Sequence, residues 1–237
     1  MPLSETGVFL CYAQQMEPRE YIEGWVEFLG CKIDLSKHPF TPRPETEFWV
    51  QRFIQTRGMG GVDLMGPFHV LDMFTGSGCI GTAVATKCQN ATVTLTDKNK
   101  HISTPLPANA TFVQSSLFAK LPGHFDIILA NPPYVPEGKG VLPTNDGVNI
   151  MEHEPSEALY AGKDGLSVIR PFLEQAPSHL NQSGPAGGAS QIWMEFGADQ
   201  KEDITNILRE FNYYQNFNCT FHKDQYGVWR YIVATMV

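Results

Sequence analysis

Phe68-His69-Val70-Leu71-Asp72-Met73-Phe74-Thr75-Gly76-Ser77-Gly78-Cys79-Ile80-Gly81 reads as a strand running straight into a glycine turn. The apolar run 68–73 has strand length, and the stretch from Thr82 to Lys87 after the turn is helical in character. Strand, glycine turn and helix start together form the nucleotide-binding junction of a parallel α/β sheet. Glycine lets backbone approach a ligand closely, and a helix N-terminus offers N–H groups without partners. Working outward, residues 91–97 (ATVTLTD) read as a second strand tipped by Asp97. An acid about 20 residues past the glycine turn is placed to accept hydrogen bonds from ribose hydroxyls. Each signal is weak alone; in this order they point to an adenosine site.

The second informative stretch is Ile127-Ile128-Leu129-Ala130-Asn131-Pro132-Pro133-Tyr134. A short apolar strand stops at an amide, two prolines and an aromatic ring. The prolines fix φ and remove two backbone donors, so no ladder continues there. A carboxamide, free carbonyl oxygens and a flat ring suit a small planar substrate carrying N–H donors, base or amide.

Elsewhere, Tyr21, Ile22, Trp25 and Phe28 predict a short amphipathic helix ended by Gly30. Thr41-Pro42-Arg43-Pro44-Glu45-Thr46-Glu47 is a stiff entry to a helix with Phe48, Trp49, Phe53 and Ile54 on its apolar face; Arg43 and Glu45 suggest an ion pair flanking the pocket. A glycine-rich loop covers 58–67. Pro105 and Pro107 break any helix between Asp97 and Ala110. Strands are expected at 111–114, 125–130, 191–196, 217–222 and 228–233, with helices at 166–180 and 200–211 and a flexible connection at 181–190. The fold class is α/β: a doubly wound, mostly parallel seven-stranded sheet closed by a C-terminal antiparallel hairpin. Residues 1–40 form a short N-terminal segment and 41–237 the α/β domain.

The 237 residues carry a net charge of −8, which disfavours a nucleic-acid polyanion as direct partner. Five cysteines without C-x-x-C spacing read as reduced thiols of a cytoplasmic protein rather than disulfides or a zinc site. His69, His153 and His222 lack metal-ligand spacing, so no metal is expected. No signal peptide is evident, and no apolar run approaches the ~18 residues of a membrane span.

Four separated motifs resemble class I S-adenosylmethionine-dependent methyltransferases, and more narrowly the release-factor glutamine methyltransferases (the PrmC/HemK family). They are Pro42-Arg43-Pro44-Glu45-Thr46-Glu47; Leu71 to Gly78; Asn131-Pro132-Pro133-Tyr134-Val135; and Glu154-Pro155 with Ala158-Leu159 and Gly162-Lys163-Asp164-Gly165-Leu166. Weaker matches at Glu195-Phe196-Gly197 with Gln200, and Lys223-Asp224 with Gly227 and Arg230, continue it from about Pro18 onward. NPPY is shared with adenine-N6 methyltransferases; the first and last of the four motifs narrow the family. The resemblance implies S-adenosyl-L-methionine as methyl donor. Phe74, Thr75, Gly76, Ser77 and Gly78 would then line its methionine and ribose part, Asp97 would bind ribose hydroxyls and Leu117 would pack on adenine. Asn131, Pro132, Pro133 and Tyr134 would grip the acceptor amide, with Asn131, Pro132 and Tyr134 nearest the chemistry. It implies as substrate the GGQ glutamine of a peptide chain release factor. The sequence departs from the family pattern at Phe74, which replaces a loop glycine, and at Ser116, which stands where an acid is usual. Most of the family's N-terminal helical domain has no counterpart, and residues 1–40 would be a reduced substrate-recognition region. Glu154 and Glu195 read as structural. Two other readings remain open at this point: an amino-group methyltransferase acting on adenine or guanine, and a non-catalytic binding module of the same fold.

Overall fold

The computed structural model describes residues 17–58, 66–139, 150–184 and 188–237. Helix α1 (Arg19–Glu23) ends at Gly24, whose φ of 73° gives a left-handed cap. A hairpin of β1 (Trp25–Phe28) and β2 (Cys31–Asp34) follows. This corrects the helix expected to reach Gly30. The helix stops nearly two turns sooner, at Glu23, and the aromatic and β-branched residues beyond it favour a strand. Leu29 and Gly30, with φ of 50° and 76°, make the two-residue turn that such a hairpin needs.

Helix α2 (Pro44–Gly58) begins on a proline, whose fixed φ suits the first helical position. Next come β3 (Phe68–Met73), α3 (Cys79–Lys87), β4 (Ala91–Asp97), β5 (Ala110–Gln114) and β6 (Ile127–Ala130). The chain continues through α4 (Ile169–Gln175), β7 (Gln191–Glu195), α5 (Lys201–Glu210), β8 (Phe217–Lys223) and β9 (Trp229–Met236). The helix expected over 166–180 is therefore shorter. Pro171 fits its first turn, where an N–H is dispensable, and the chain tightens into a 3₁₀ turn at Ala176–His179 containing Pro177. Of the loop expected at 58–67, residues 59–65 lie outside the described residues, as do Cys11, the N-terminal residues read for a signal peptide, residues 140–149 of the polar loop and 185–187 of the flexible connection.

The strands form one seven-stranded sheet in the order β5-β4-β3-β6-β7-β9-β8. β5 to β7 are mutually parallel, whereas β9 runs antiparallel to both β7 and β8. Alternate side chains serve opposite faces. Phe68, Val70, Ile127, Leu129 and Trp193 join one core cluster with α2 and α3; Leu71, Met73, Ile128, Ala130, Ile192 and Met194 join the other with α4 and α5. Both faces are covered, as a parallel sheet requires. No helix follows β4, in keeping with Pro105 and Pro107. The N-terminal hairpin packs there instead: Phe28, Ile33 and Leu35 share a cluster with Val93, Leu95 and Ile102. Asp34 N donates to Thr104 Oγ1 at 2.8 Å, and Lys37 Nζ to the Ile102 carbonyl at 3.1 Å.

Asp72 knits the glycine turn to α3. Its Oδ2 accepts from Thr75 Oγ1 and from Gly81 N, the latter at 2.8 Å. Gly81 permits that approach, since a Cβ would stand 2.4 Å from Leu95 Cγ and 2.9 Å from Asp72 Oδ2. Gly81→Ala is expected to lower stability by about 1–3 kcal/mol through overpacking. Urea denaturation would show this as a lower midpoint at unchanged m. Burial pushes the Asp72 carboxyl up to about 7, against the hydrogen bonds from Thr75 and Gly81. Its folded pKa thus lies above the ordinary 3.8. The contribution of Asp72 to stability is full below that ordinary value and is lost as pH rises through the raised one. Wild type is therefore expected to lose stability relative to Asp72→Asn between pH 4 and pH 8. A pH-independent difference in parallel denaturation curves would contradict this.

Candidate active site

Parallel register places the functional residues side by side. Met73 is level with Thr96 on β4 and with Ala130 on β6, and Ala130 is level with Met194 on β7. The next residue along each chain, Phe74, Asp97, Asn131 or Glu195, therefore stands at the end of its strand at one height. This is the carboxyl edge, at the point where chain order reverses between β3 and β6, the usual ligand position in such sheets. All four line one cavity of about 870 Å³, within the size range of small-molecule sites.

The β3–β4 side is shaped for a ligand with a polar, diol-like part. Thr75, Gly76 and Ser77 line the cavity beside Phe74, and Ser116 and Leu117 line it from the turn after β5. Phe74 has a φ of 62° and Leu117 one of 47°. A left-handed conformation costs a side-chain-bearing residue about 1–2 kcal/mol, and such strain gathers at ligand sites. The Phe74 ring rests edge-on against Phe172, with centroids 5.6 Å apart, so the residue that replaces a flexible glycine is held by packing. Asp97 Oδ2 accepts from Gly76 N at 3.1 Å, while Oδ1 accepts from Asn99 N at 3.1 Å. A carboxylate has about four lone-pair sites, so acceptor capacity remains for hydroxyls. Gly78 does not line the cavity. It caps α3 with a φ of 84° and faces Ile102. Burial pushes the Cys79 thiol up to about 12, which makes it a poor nucleophile although it borders the cavity.

The Asn-Pro-Pro-Tyr corner is built from three of the sequence motifs. Asn131, Pro132, Pro133 and Tyr134 all line the cavity. Asn131 Nδ2 donates to Thr46 Oγ1 at 3.2 Å, and Thr46 Oγ1 donates to Glu195 Oε2 at 2.7 Å. Trp49 Nε1 donates to the same oxygen at 2.8 Å, and the Tyr134 hydroxyl to Glu195 Oε1 at 3.1 Å. Burial raises the Glu195 carboxyl above its ordinary range, against the bonds from Trp49 and Thr46 and the Arg230 charge. Burial and the Glu195 charge raise the Tyr134 phenol, which stays protonated and is unsuited to act as a general acid or base near neutrality. The backbone of Tyr134 is clamped as well. Gln200 Nε2 donates to its carbonyl at 2.9 Å, and a Cβ on Gly165 would stand 2.2 Å from that oxygen.

The remaining motif residues brace this corner. Arg43 pairs with Glu154 Oε2 at 2.6 Å, not with Glu45, and Thr41 N donates to Glu154 Oε1 at 2.8 Å. Glu47 accepts from Leu29 N at 2.7 Å and so ties the hairpin turn to α2. Val135 N donates to the Leu159 carbonyl and Ala161 N to the Val135 carbonyl, both at 2.9 Å, which docks the EP-x-x-AL segment against the corner. Asp224 receives Arg230 Nε at 3.0 Å and turns that guanidinium toward the cavity wall. Glu195, Thr46, Trp49 and Arg230 were not among the site residues expected from sequence. Glu195 was signalled by its place one residue past the apolar run of its strand. Among the described residues no group of three His, Cys, Asp or Glu could hold a metal.

Comparison with known proteins agrees with this geometry. Residues 63–144 match the family model of the methyltransferase small domain. A release factor glutamine methyltransferase of Lactococcus lactis is 30% identical over 220 residues, covering 90% of this chain and 75% of that one. One of Haemophilus influenzae is 30% identical over 209 residues, covering 82% and 68%. Among solved structures, a ribosomal protein L11 methylase of Lactobacillus delbrueckii shares the fold with a TM-score of 0.53 at 19% identity, covering 86% of this chain and 83% of that chain. Sheet order, site and relatives converge: the chain belongs to the release factor glutamine methyltransferase family.

Proposed function

We propose that this protein transfers a methyl group from S-adenosyl-L-methionine to the side-chain amide nitrogen of a glutamine, the GGQ glutamine of a peptide chain release factor. The observation that carries the reading is the placement of Asn131 and its proline corner level with, and one strand away from, the Phe74–Ser77 loop. The residues present fit the methyl donor: a strained loop beside Asp97 with acceptor capacity for a diol, and Leu117 placed to cover a flat base. When bound, S-adenosylmethionine supplies an electrophilic methyl on a sulfonium. The chain's own residues do the rest. A glutamine amide nitrogen is a poor nucleophile because its lone pair is delocalised into the carbonyl. Asn131 Oδ1 and the Pro132 carbonyl each accept one amide hydrogen, which orients the nitrogen and favours positive charge developing on it. Tyr134 stacks on the flat amide. No strong general base is required, because the nitrogen sheds a proton readily once methylated.

The segment 17–40 supplies part of the cavity mouth through Glu20, Val26 and Glu27, which supports a role for it in contacting the acceptor protein beside a catalytic domain of 41–237. A net charge of −8 also fits a protein acceptor better than nucleic acid. Among the described residues no helix is long and apolar enough to cross a membrane. Cys31, Cys79 and Cys219 are free thiols, which supports a cytoplasmic setting.

Purified protein incubated with labelled methyl donor is expected to label release factor at the glutamine of its GGQ segment, as read by mass spectrometry. Label confined to DNA or ribosomal RNA would overturn this in favour of a nucleobase amino group. Asn131→Ala is expected to lower kcat by about 10²-fold or more while calorimetric affinity for the methyl donor stays near wild type; unchanged turnover would remove the clamp.

A further inference from the structure

The Thr46 hydroxyl has one hydrogen and two neighbours, Glu195 Oε2 at 2.7 Å and Asn131 Nδ2 at 3.2 Å. With Glu195 in its ionised form, its neighbours decide which of them receives it. Trp49 Nε1 is a donor only, and it reaches Oε2 at 2.8 Å, while the Tyr134 hydroxyl reaches Oε1 at 3.1 Å. As a carboxylate, Glu195 accepts from all three, so Thr46 gives its hydrogen to Glu195 and turns a lone pair toward Asn131. Only the NH₂ end of the Asn131 amide can meet a lone pair. The flipped amide would set oxygen against oxygen with no hydrogen between them. The Asn131 oxygen is thereby left for the cavity that this residue lines.

We propose that Thr46 and Glu195 form a positioning pair that fixes the Asn131 amide with its oxygen toward the acceptor, and so selects an acceptor bearing an NH₂ group. The inference rests on the glutamine-nitrogen reading above and adds how that site tells glutamine from glutamate. The hydrogens of Tyr134, Trp49 and Thr46 point toward the carboxylate, and one of the two on Asn131 Nδ2 points toward Thr46. What this orientation turns to the acceptor is the lone pairs of the Asn131 oxygen, beside those of the Pro132 carbonyl. A primary amide brings two N–H groups to them. A glutamate carboxylate brings only lone pairs and negative charge of its own, beside a buried anion. The pair is thus a specificity device that need never touch the substrate.

The test compares Thr46→Val and Thr46→Ser in the full chain, with release factor as acceptor. Thr46→Val keeps the shape but removes the hydroxyl; Thr46→Ser restores the hydroxyl. Thr46→Val is expected to lower kcat about tenfold or more, the scale of one lost hydrogen bond that orders a reacting group, with methyl-donor affinity within about twofold of wild type. Thr46→Ser is expected to recover to within about threefold. In nuclear magnetic resonance spectra the Asn131 side-chain amide, assigned by its loss in Asn131→Ala, should shift and exchange faster with water in Thr46→Val and stay near wild type in Thr46→Ser. If Thr46→Val does not fold, Thr46→Ala removes the hydroxyl without a second γ-methyl and carries the same expectations. Wild-type kcat in the hydroxyl-free variant, or equal impairment of Thr46→Ser, would overturn the positioning pair while leaving glutamine methylation intact. A wild-type protein that methylates no glutamine would instead remove the reading beneath it.

Discussion

Everything at the site depends on the register between β3, β4, β6 and β7. In a parallel sheet the hydrogen bonds repeat evenly, so once one pair of residues is level the others follow. Here the levelled row is Met73, Thr96, Ala130 and Met194, and the row above it holds Phe74, Asp97, Asn131 and Glu195. A one-residue slip of any of these strands would exchange its two faces and carry its terminal side chain out of the row. The core enforces the register because both faces are apolar and closely filled: Val70, Leu71, Ile127, Ile128 and Leu129 are fully buried. Packing several residues below the cavity therefore fixes the distances at its rim.

Two buried carboxylates give that rim its stiffness. Glu154 and Glu195 are both nearly inaccessible to water, and an unpaired charge there would be strongly destabilising. Each is instead surrounded by donors from far along the chain. Glu154 gathers Thr41 and Arg43 in front of α2, and Glu195 gathers Thr46 and Trp49 within it. The entry to α2 is thus held at two points, and the same helix holds the hairpin turn through Glu47. The P-R-P-E-T-E motif braces the cavity that its six residues also line, and Thr46 stands one hydrogen bond from Asn131.

Much of this was legible in the sequence because strands announce their ends. An apolar run that breaks at Asn131, and an alternating β-branched run that ends at Asp97, place both at the carboxyl edge without any structure, and the glycines after Asp72 announce the loop beside them. What stayed hidden depended on pairing. Arg43 lies next to Glu45 in sequence, yet its partner is Glu154, 111 residues away. Glu195 looked structural because nothing local shows that β7 lies beside β6 with Ala130 and Met194 in register. The N-terminal hairpin was misread because apolar spacing over so few residues fits a helix and a strand pair alike. Only the left-handed Gly24 and the Leu29–Gly30 turn decide between them.

The position of β9 bears on how the protein is made. That strand lies inside the sheet between β7 and β8, yet it follows both in the chain. During synthesis β7 therefore emerges with one edge exposed, and Glu195 lacks the nearby Arg230 until β9 has left the ribosome. An unpaired strand edge invites association with other chains. The nascent protein thus passes through an interval in which the surroundings of Glu195 are incomplete and its most vulnerable edge is open. The closing β8–β9 hairpin ends both conditions in a single step.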